Sequence, residues 1–192
     1  LWIPKNHSKA RVKHFWIIFI LHIACARPEG TLAIRQCTFK IRDPYFLGQA
    51  NISSTAKGFR IALQNDKGEQ LDRAIFSYHP YQLDTADINR DGRTEILIGV
   101  IKSTEFDDNQ AKRLFILRID DGQLRPLWLG SKVCQELVDF KSLPNGKVRT
   151  LEKTKSDQYV IGVYEWQGFG LALIKYISNE KSYDEAFSIF NS

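Results

Sequence analysis

The clearest signal in this chain is an alternation of apolar and polar residues, broken at intervals by glycine turns. Phe59-Arg60-Ile61-Ala62-Leu63-Gln64-Asn65 alternates with a period of two, turns at Asp66-Lys67-Gly68 and returns through Gln70 to Phe76. Arg113 to Ile119 does the same, turning at Asp120-Asp121-Gly122 and returning through Gln123 to Trp128. Tyr159 to Trp166 follows suit, turning at Gln167-Gly168 and returning through Phe169 to Tyr176. A period of two puts successive side chains on opposite faces of a strand. Asp-Gly between two such runs marks a tight hairpin. The turn glycines Gly68, Gly122 and Gly168 are spaced by 54 and 46 residues.

A second element falls between the hairpins. Tyr81 to Asp87 leads into a polar loop and then the apolar strand 95–102. One unit later Glu136 to Lys141 leads to Pro144-Asn145-Gly146 and on to Val148 through Glu152, with Gly146 again 54 residues after Gly92. Each unit reads as two hairpins, four strands, in about 50 residues, the size of a β-propeller blade. Upstream, 32–41 reads as a strand, whereas Asp43-Pro44 and 48–58 read as loop. Ser182 to Phe190 reads as a short capped helix. The expectation is therefore an all-β chain of about three four-stranded antiparallel propeller-like blades, a partial or open β-propeller over 32–181 with a tail at 182–192. Propellers close with about four to eight blades. Three open blades leave exposed sheet edges. Three resolutions are open: a longer product, a compact non-propeller β domain using 32–57, or assembly with further chains.

Composition changes the picture mainly at the N-terminus. The chain has 192 residues, 43% of them apolar, and a net charge of +5. Lys5, Lys9, Arg11 and Lys13 lie within the first 24 residues, with no acid, so the remainder carries +1. That placement points to targeting and away from a nucleic-acid footprint. Phe15 to Ala24 is an apolar run of signal-peptide length, shorter than a membrane span. Residues 1–24 are expected to be a signal peptide, and Cys25 to begin a linker, 25–31. Ile23-Ala24-Cys25 resembles a bacterial lipoprotein signal, with His22 where leucine is preferred; the resemblance implies lipidation of Cys25, export, and a place in the cell envelope. If Cys25 carries lipid, Cys37 and Cys134 are left to pair or to remain as buried thiols.

The candidate chemistry is concentrated in Asp87-Ile88-Asn89-Arg90-Asp91-Gly92-Arg93-Thr94-Glu95. Oxygen-bearing side chains alternate at 87, 89 and 91, glycine permits a sharp turn, and a further carboxylate follows at Glu95. Ca²⁺ takes about six to eight oxygens at about 2.3–2.6 Å, and the carbonyl of Arg93 can add one. The pattern argues against an EF-hand, because its twelfth position falls on Ile98 and a strand follows in place of a helix. A plain polar turn is the competing reading. The pattern D-x-N-x-D-G-x-x-E running into Ile96-Leu97-Ile98-Gly99-Val100 resembles the calcium loop of FG-GAP (VCBS-type) β-propeller repeats, with Asn89 where Asp is commoner. The resemblance covers roughly residues 58–178 and implies one calcium site at Asp87, Asn89, Asp91, Arg93 and Glu95.

Catalytic signals are sparse. His79 is the sole histidine outside the N-terminal segment, and Asp107-Asp108 reads as decoration of the connection after strand 95–102. Trp128, Tyr164, Trp166 and Phe169 can pack between blades or stack on sugars. The leading expectation is an exported, non-catalytic, calcium-binding interaction module, lipid-anchored at the membrane, with a protein or glycan ligand and no nucleic-acid partner. The alternatives are a structural surface lipoprotein without an ion and a carbohydrate-active accessory domain.

Overall fold

A computed structural model describes residues 36–105, 107–130 and 132–192. The described residues form twelve strands followed by one helix. Sheet 1 contains β1 (Gln36–Arg42), β2 (Leu47–Thr55), β3 (Gly58–Asn65) and β4 (Gln70–Phe76). Sheet 2 contains β5 (Pro80–Ala86), β6 (Glu95–Thr104), β7 (Asp107–Asp120) and β8 (Gln123–Leu129). Sheet 3 contains β9 (Glu136–Ser142), β10 (Lys147–Lys153), β11 (Tyr159–Gln167) and β12 (Gly170–Tyr176). Each sheet is an antiparallel meander in chain order, and the three do not close on one another. The helix α1 spans Tyr183–Asn191. Residues 1–24, read from sequence as a signal peptide, and Cys25 lie outside the described residues.

The stretch 48–58, read from sequence as loop, is instead mostly strand β2 and its turn into β3. Glycine, serines and asparagine make it a weak strand former, but tertiary packing overrides that preference. Ala50 and Ile52 are fully buried, opposite Leu63 and Ile61 of β3. The outward polar residues satisfy one another across the sheet. Thr38 Oγ1 donates to Asn51 Oδ1 at 2.8 Å, while Asn51 Nδ2 and Gln49 Nε2 both donate to Gln64 Oε1 at 2.8 Å. Asp107-Asp108 also differs from expectation. These residues open β7, with Asp107 paired to Thr104, so the β6–β7 hairpin is longer than its apolar core.

The three sheets pack face to face in chain order. Ile52, Phe59, Ile61 and Leu63 of sheet 1 meet Ile96, Ile98, Phe115 and Leu117 of sheet 2 in one core. The opposite face of sheet 2, with Leu97, Leu114 and Ile116, meets Leu137, Phe140, Val148 and Tyr164 of sheet 3 in a second. Gly99 lies at that second contact, where an added Cβ would come within 2.7 Å of the Tyr81 ring and 2.8 Å of Phe140. The far side of sheet 3 is covered by α1, whose Ala186 and Phe190 pack on Leu151 and Ile161. In the outer hairpin of every sheet the turn glycine has positive φ: 81° at Gly68, 74° at Gly122 and 69° at Gly168. Each of those hairpins carries a register shift, at Leu63/Gln64, Ile116/Leu117 and Val163/Tyr164.

At the N-terminus of α1, Glu185 accepts from the backbone N–H of Ser182 at 3.2 Å and from its hydroxyl at 2.8 Å. Near its C-terminus the carbonyls of Ile189 and Phe190 accept from Arg149 at 3.4 and 3.2 Å. Phe190→Ala is expected to cost about 3 kcal/mol by opening a cavity under the helix. Hydrogen exchange is expected to rise first in residues 183–191; uniform loss of protection across all three sheets would contradict a helix attached as an outer cover.

Candidate functional site

The loop 87–94 joins the first two strands of sheet 2, and its side chains organise its own backbone. Asp87 Oδ1 accepts from the N–H of Asp91 at 3.1 Å and Oδ2 from Gly92 at 2.9 Å. Asn89 Oδ1 also accepts from Asp91 N–H at 3.1 Å, and Asp91 Oδ1 accepts from Arg93 N–H at 2.9 Å. These nested Asx turns curl the chain around the short side chains at 87, 89 and 91. Gly92 takes φ 86°, a conformation that a Cβ disfavours. Arg90, at φ 61°, holds a similar conformation without that freedom, and its Nε donates to Asn145 O at 3.1 Å.

Neighbouring loops complete the surroundings. The β1–β2 turn supplies Asp43, whose Oδ2 accepts from Thr94 N–H at 2.9 Å. The β7–β8 turn supplies Asp120, paired with the Arg93 guanidinium at 2.6 Å. That guanidinium also lies 4.4 Å from the centroid of the Tyr45 ring. The three loops that join the first two strands of each sheet therefore lie side by side, with 87–94 between the other two.

Glu95 differs from the rest of the loop. It is fully buried at the start of β6, opposite Ala86. Its Oε2 accepts from Ile88 N–H at 2.8 Å, and its Oε1 has no hydrogen-bond partner. Burial pushes its carboxyl up to about 8, and the charges of Asp91 and Asp87 push the same way. A buried carboxylate oxygen without a donor is costly unless a cation meets it.

Sheet 3 offers a contrast. Its corresponding strand pair sets Arg149 opposite Lys141, where sheet 2 sets Glu95 opposite Ala86. Arg149 turns to the carbonyls of α1, and Lys141 lies 5.1 Å from the Phe190 ring centroid. Sheet 3 also buries a carboxylate, Glu152, which the sequence reading missed. Glu152 accepts from Thr150 Oγ1 at 2.6 Å, from Gln135 N–H at 2.8 Å and from Tyr176 OH at 3.4 Å. Burial, then the Glu152 charge, pushes Tyr176 up to about 12, so it stays a donor. Both Glu152 oxygens are met by protein donors; Glu95 has one oxygen left over. Glu152 follows buried Val148 and Thr150 on one face of β10, whose register with β11 is unbroken; the extra residue at the Leu151/Glu152 shift is Val138 of β9.

The other sequence candidates are scattered. Asp107 pairs with buried Arg113 at 2.7 Å. That hydrogen bond, with a further one from Asn109 N–H, holds Asp107 down to about 2, unsuited to donating a proton near neutrality. A cavity of about 260 Å³ lies between sheets 2 and 3, lined by Asp107, Lys112, Arg113, Trp128, Val133 and Leu137 among others. Tyr164 is buried, Trp128 and Trp166 pack partly buried in the second core, and Phe169 stands 91% exposed at a turn. The four rings do not form an exposed row. His79 is exposed. Cys134 is a free, exposed thiol and Cys37 is disulfide-bonded, so the possible Cys37–Cys134 pair is not formed.

Among the described residues, no three His, Cys, Asp or Glu side chains are gathered closely enough to hold a metal ion as they stand. Within the loop, Asn89 Nδ2 donates to Asp91 Oδ2 at 3.0 Å and so occupies that oxygen. No family model, curated protein or solved structure matches the chain.

Proposed function

We propose that the chain is an exported, non-catalytic interaction module in which one Ca²⁺ ion fixes the loop 87–94. The observation that carries this reading is Glu95: a buried carboxylate with one oxygen unpartnered, whose proton affinity the charges of Asp91 and Asp87 raise. A divalent cation would keep Glu95 ionised and offset its burial. Asp87, Asn89, Asp91 and Glu95 would supply side-chain oxygens and Arg93 its carbonyl. Binding would need the Asn89–Asp91 hydrogen bond to break, a local change within an exposed loop. The ion's role would be to brace the three adjoining loops, so that its loss is felt in stability.

On this reading the three sheets are propeller-like blades of FG-GAP type, standing open or joined by further blades or chains. The matching turn glycines and register shifts of the outer hairpins support the blade reading. The basic and apolar start of the sequence supports export. The partner would be a protein or glycan at the cell envelope.

Thermal unfolding of the full chain in EDTA and then in millimolar Ca²⁺ tests the ion. A ligand that binds the native state alone adds about 2.7 kcal/mol at a hundredfold excess over Kd. An upward shift with Ca²⁺ that is lost in Asp91→Ala is the expected result. Equal melting with and without Ca²⁺ would reduce 87–95 to a hydrogen-bonded turn.

A further inference from the structure

The outer face of sheet 1 is built differently from the other sheet faces. Cys37, Ile41, Ala50, Ile52, Phe59, Ile61 and Leu63 are buried against the first core side. The alternate residues therefore point the other way. Cross-strand register aligns them in rows: Gln36, Ser53, Arg60, Ile75; then Thr38, Asn51, Ala62, Arg73; then Lys40, Gln49, Gln64, Gln70; then Arg42 and Leu47. The face carries four charges, Lys40, Arg42, Arg60 and Arg73, all positive and all exposed. None of the four side chains has an ion-pair, hydrogen-bond or ring partner among the described residues. Two arginines stand directly beside exposed aliphatic residues. Arg60 pairs with Ile75, 68% exposed, and Arg42 with Leu47, 46% exposed.

We propose that this face rests on a membrane surface of anionic lipid headgroups. Four unpaired cations on one sheet face are complementary to a layer of phosphates. Aliphatic side chains beside the arginines suit the boundary between headgroups and acyl chains, and offer nothing to a soluble polyanion. The chain's own N-terminal segment is a poor occupant, because its first 24 residues are themselves basic and carry no acid. That segment is drawn to the same anionic surface. Eleven residues, 25–35, separate its apolar run from β1. They span at most about 40 Å, which keeps sheet 1 close to anything holding the apolar run. The proposal needs no bound Ca²⁺ and stands apart from the ion reading.

The test is partitioning of the full chain onto phosphatidylcholine vesicles with and without phosphatidylglycerol, in EDTA. The N-terminal segment is kept in every variant, so its contribution cancels. Each Lys or Arg near such a surface is worth about fivefold in partitioning. The triple variant Lys40→Glu/Arg60→Glu/Arg73→Glu is expected to lose well over a hundredfold on anionic vesicles and little on neutral ones. Lys132→Glu/Lys155→Glu/Lys175→Glu changes the net charge equally from other exposed positions and is expected to lose far less. Thermal melting checks that each variant is folded; Lys40→Gln/Arg60→Gln/Arg73→Gln, with a smaller loss, replaces the reversal if it is not. Equal losses in the two charge-reversal sets, or no loss in the first, would overturn the proposal. So would loss of binding to a soluble polyanionic polysaccharide with vesicle binding unchanged.

Discussion

In EDTA, the protein is expected to become less stable as pH rises from about 5 to about 8, and Glu95→Gln is expected to remove most of that slope. Glu95 is pushed up to about 8 in the folded chain, chiefly by burial, from an ordinary value of 4.5. Below pH 4.5 both folded and unfolded chains hold the proton, and nothing is lost. Between there and about 8 the unfolded chain releases the proton while the folded chain keeps it. Unfolding is therefore favoured increasingly across that window. Above about 8 the folded carboxylate is charged and buried, and the full penalty is present. At 1.36 kcal/mol per unit the ceiling is about 5 kcal/mol, lowered by whatever the loop relaxes. Urea midpoints at pH 5, 6.5 and 8 measure it. A wild-type profile parallel to that of Glu95→Gln would show that Glu95 is not a buried, under-partnered acid. Millimolar Ca²⁺ is expected to flatten the wild-type slope and leave the variant unchanged.

The second large effect belongs to the core that joins sheets 1 and 2. Phe59 is fully buried at the centre of that contact. Its ring stacks on Phe76 at 4.6 Å and 14°, and Tyr78 tilts against it at 6.0 Å. Tyr78 in turn meets Phe115 of sheet 2 edge-on at 5.7 Å. Phe59→Ala is expected to cost about 3–5 kcal/mol, because the ring's contacts come from both sheets and the gap cannot collapse from one side. The midpoint of urea unfolding is expected to fall with its slope unchanged, as for one cooperative unit. A second transition, with sheet 1 unfolding ahead of the rest, would show that the face-to-face contact is weaker than the burial implies.

Hairpins were legible where alternation and turn chemistry coincided. Phe59 to Phe76, Arg113 to Trp128 and Tyr159 to Tyr176 carry both, and all three are paired strands. β2 carries neither, since its outward polar ladder and its two buried residues show only once β1 and β3 stand on either side. Spacing marked Asp87, Asn89, Asp91 and Glu95 as a loop set. It could not show that the first three are spent largely on backbone N–H groups, or that Glu95 is buried with one oxygen left over. Glu152 shares the face of Val148 and Thr150 on β10, and only the packing of that face against sheet 2 shows that a carboxylate there is buried. The four cations of sheet 1 are scattered over 34 positions of sequence, from Lys40 to Arg73. Pairing register alone gathers them on one face.

The measurement that bears most directly on the account is a calorimetric titration of the metal-free full chain with Ca²⁺ at pH 7, beside Asp91→Ala and beside Mg²⁺. Mg²⁺ demands a tighter octahedron and gives up its waters reluctantly, so a flexible loop of oxygens favours Ca²⁺. The account predicts one Ca²⁺ per chain, proton release as Glu95 ionises, weaker or no response to Mg²⁺, and no binding in the variant. No heat of binding at millimolar Ca²⁺, or binding that survives Asp91→Ala, would contradict it.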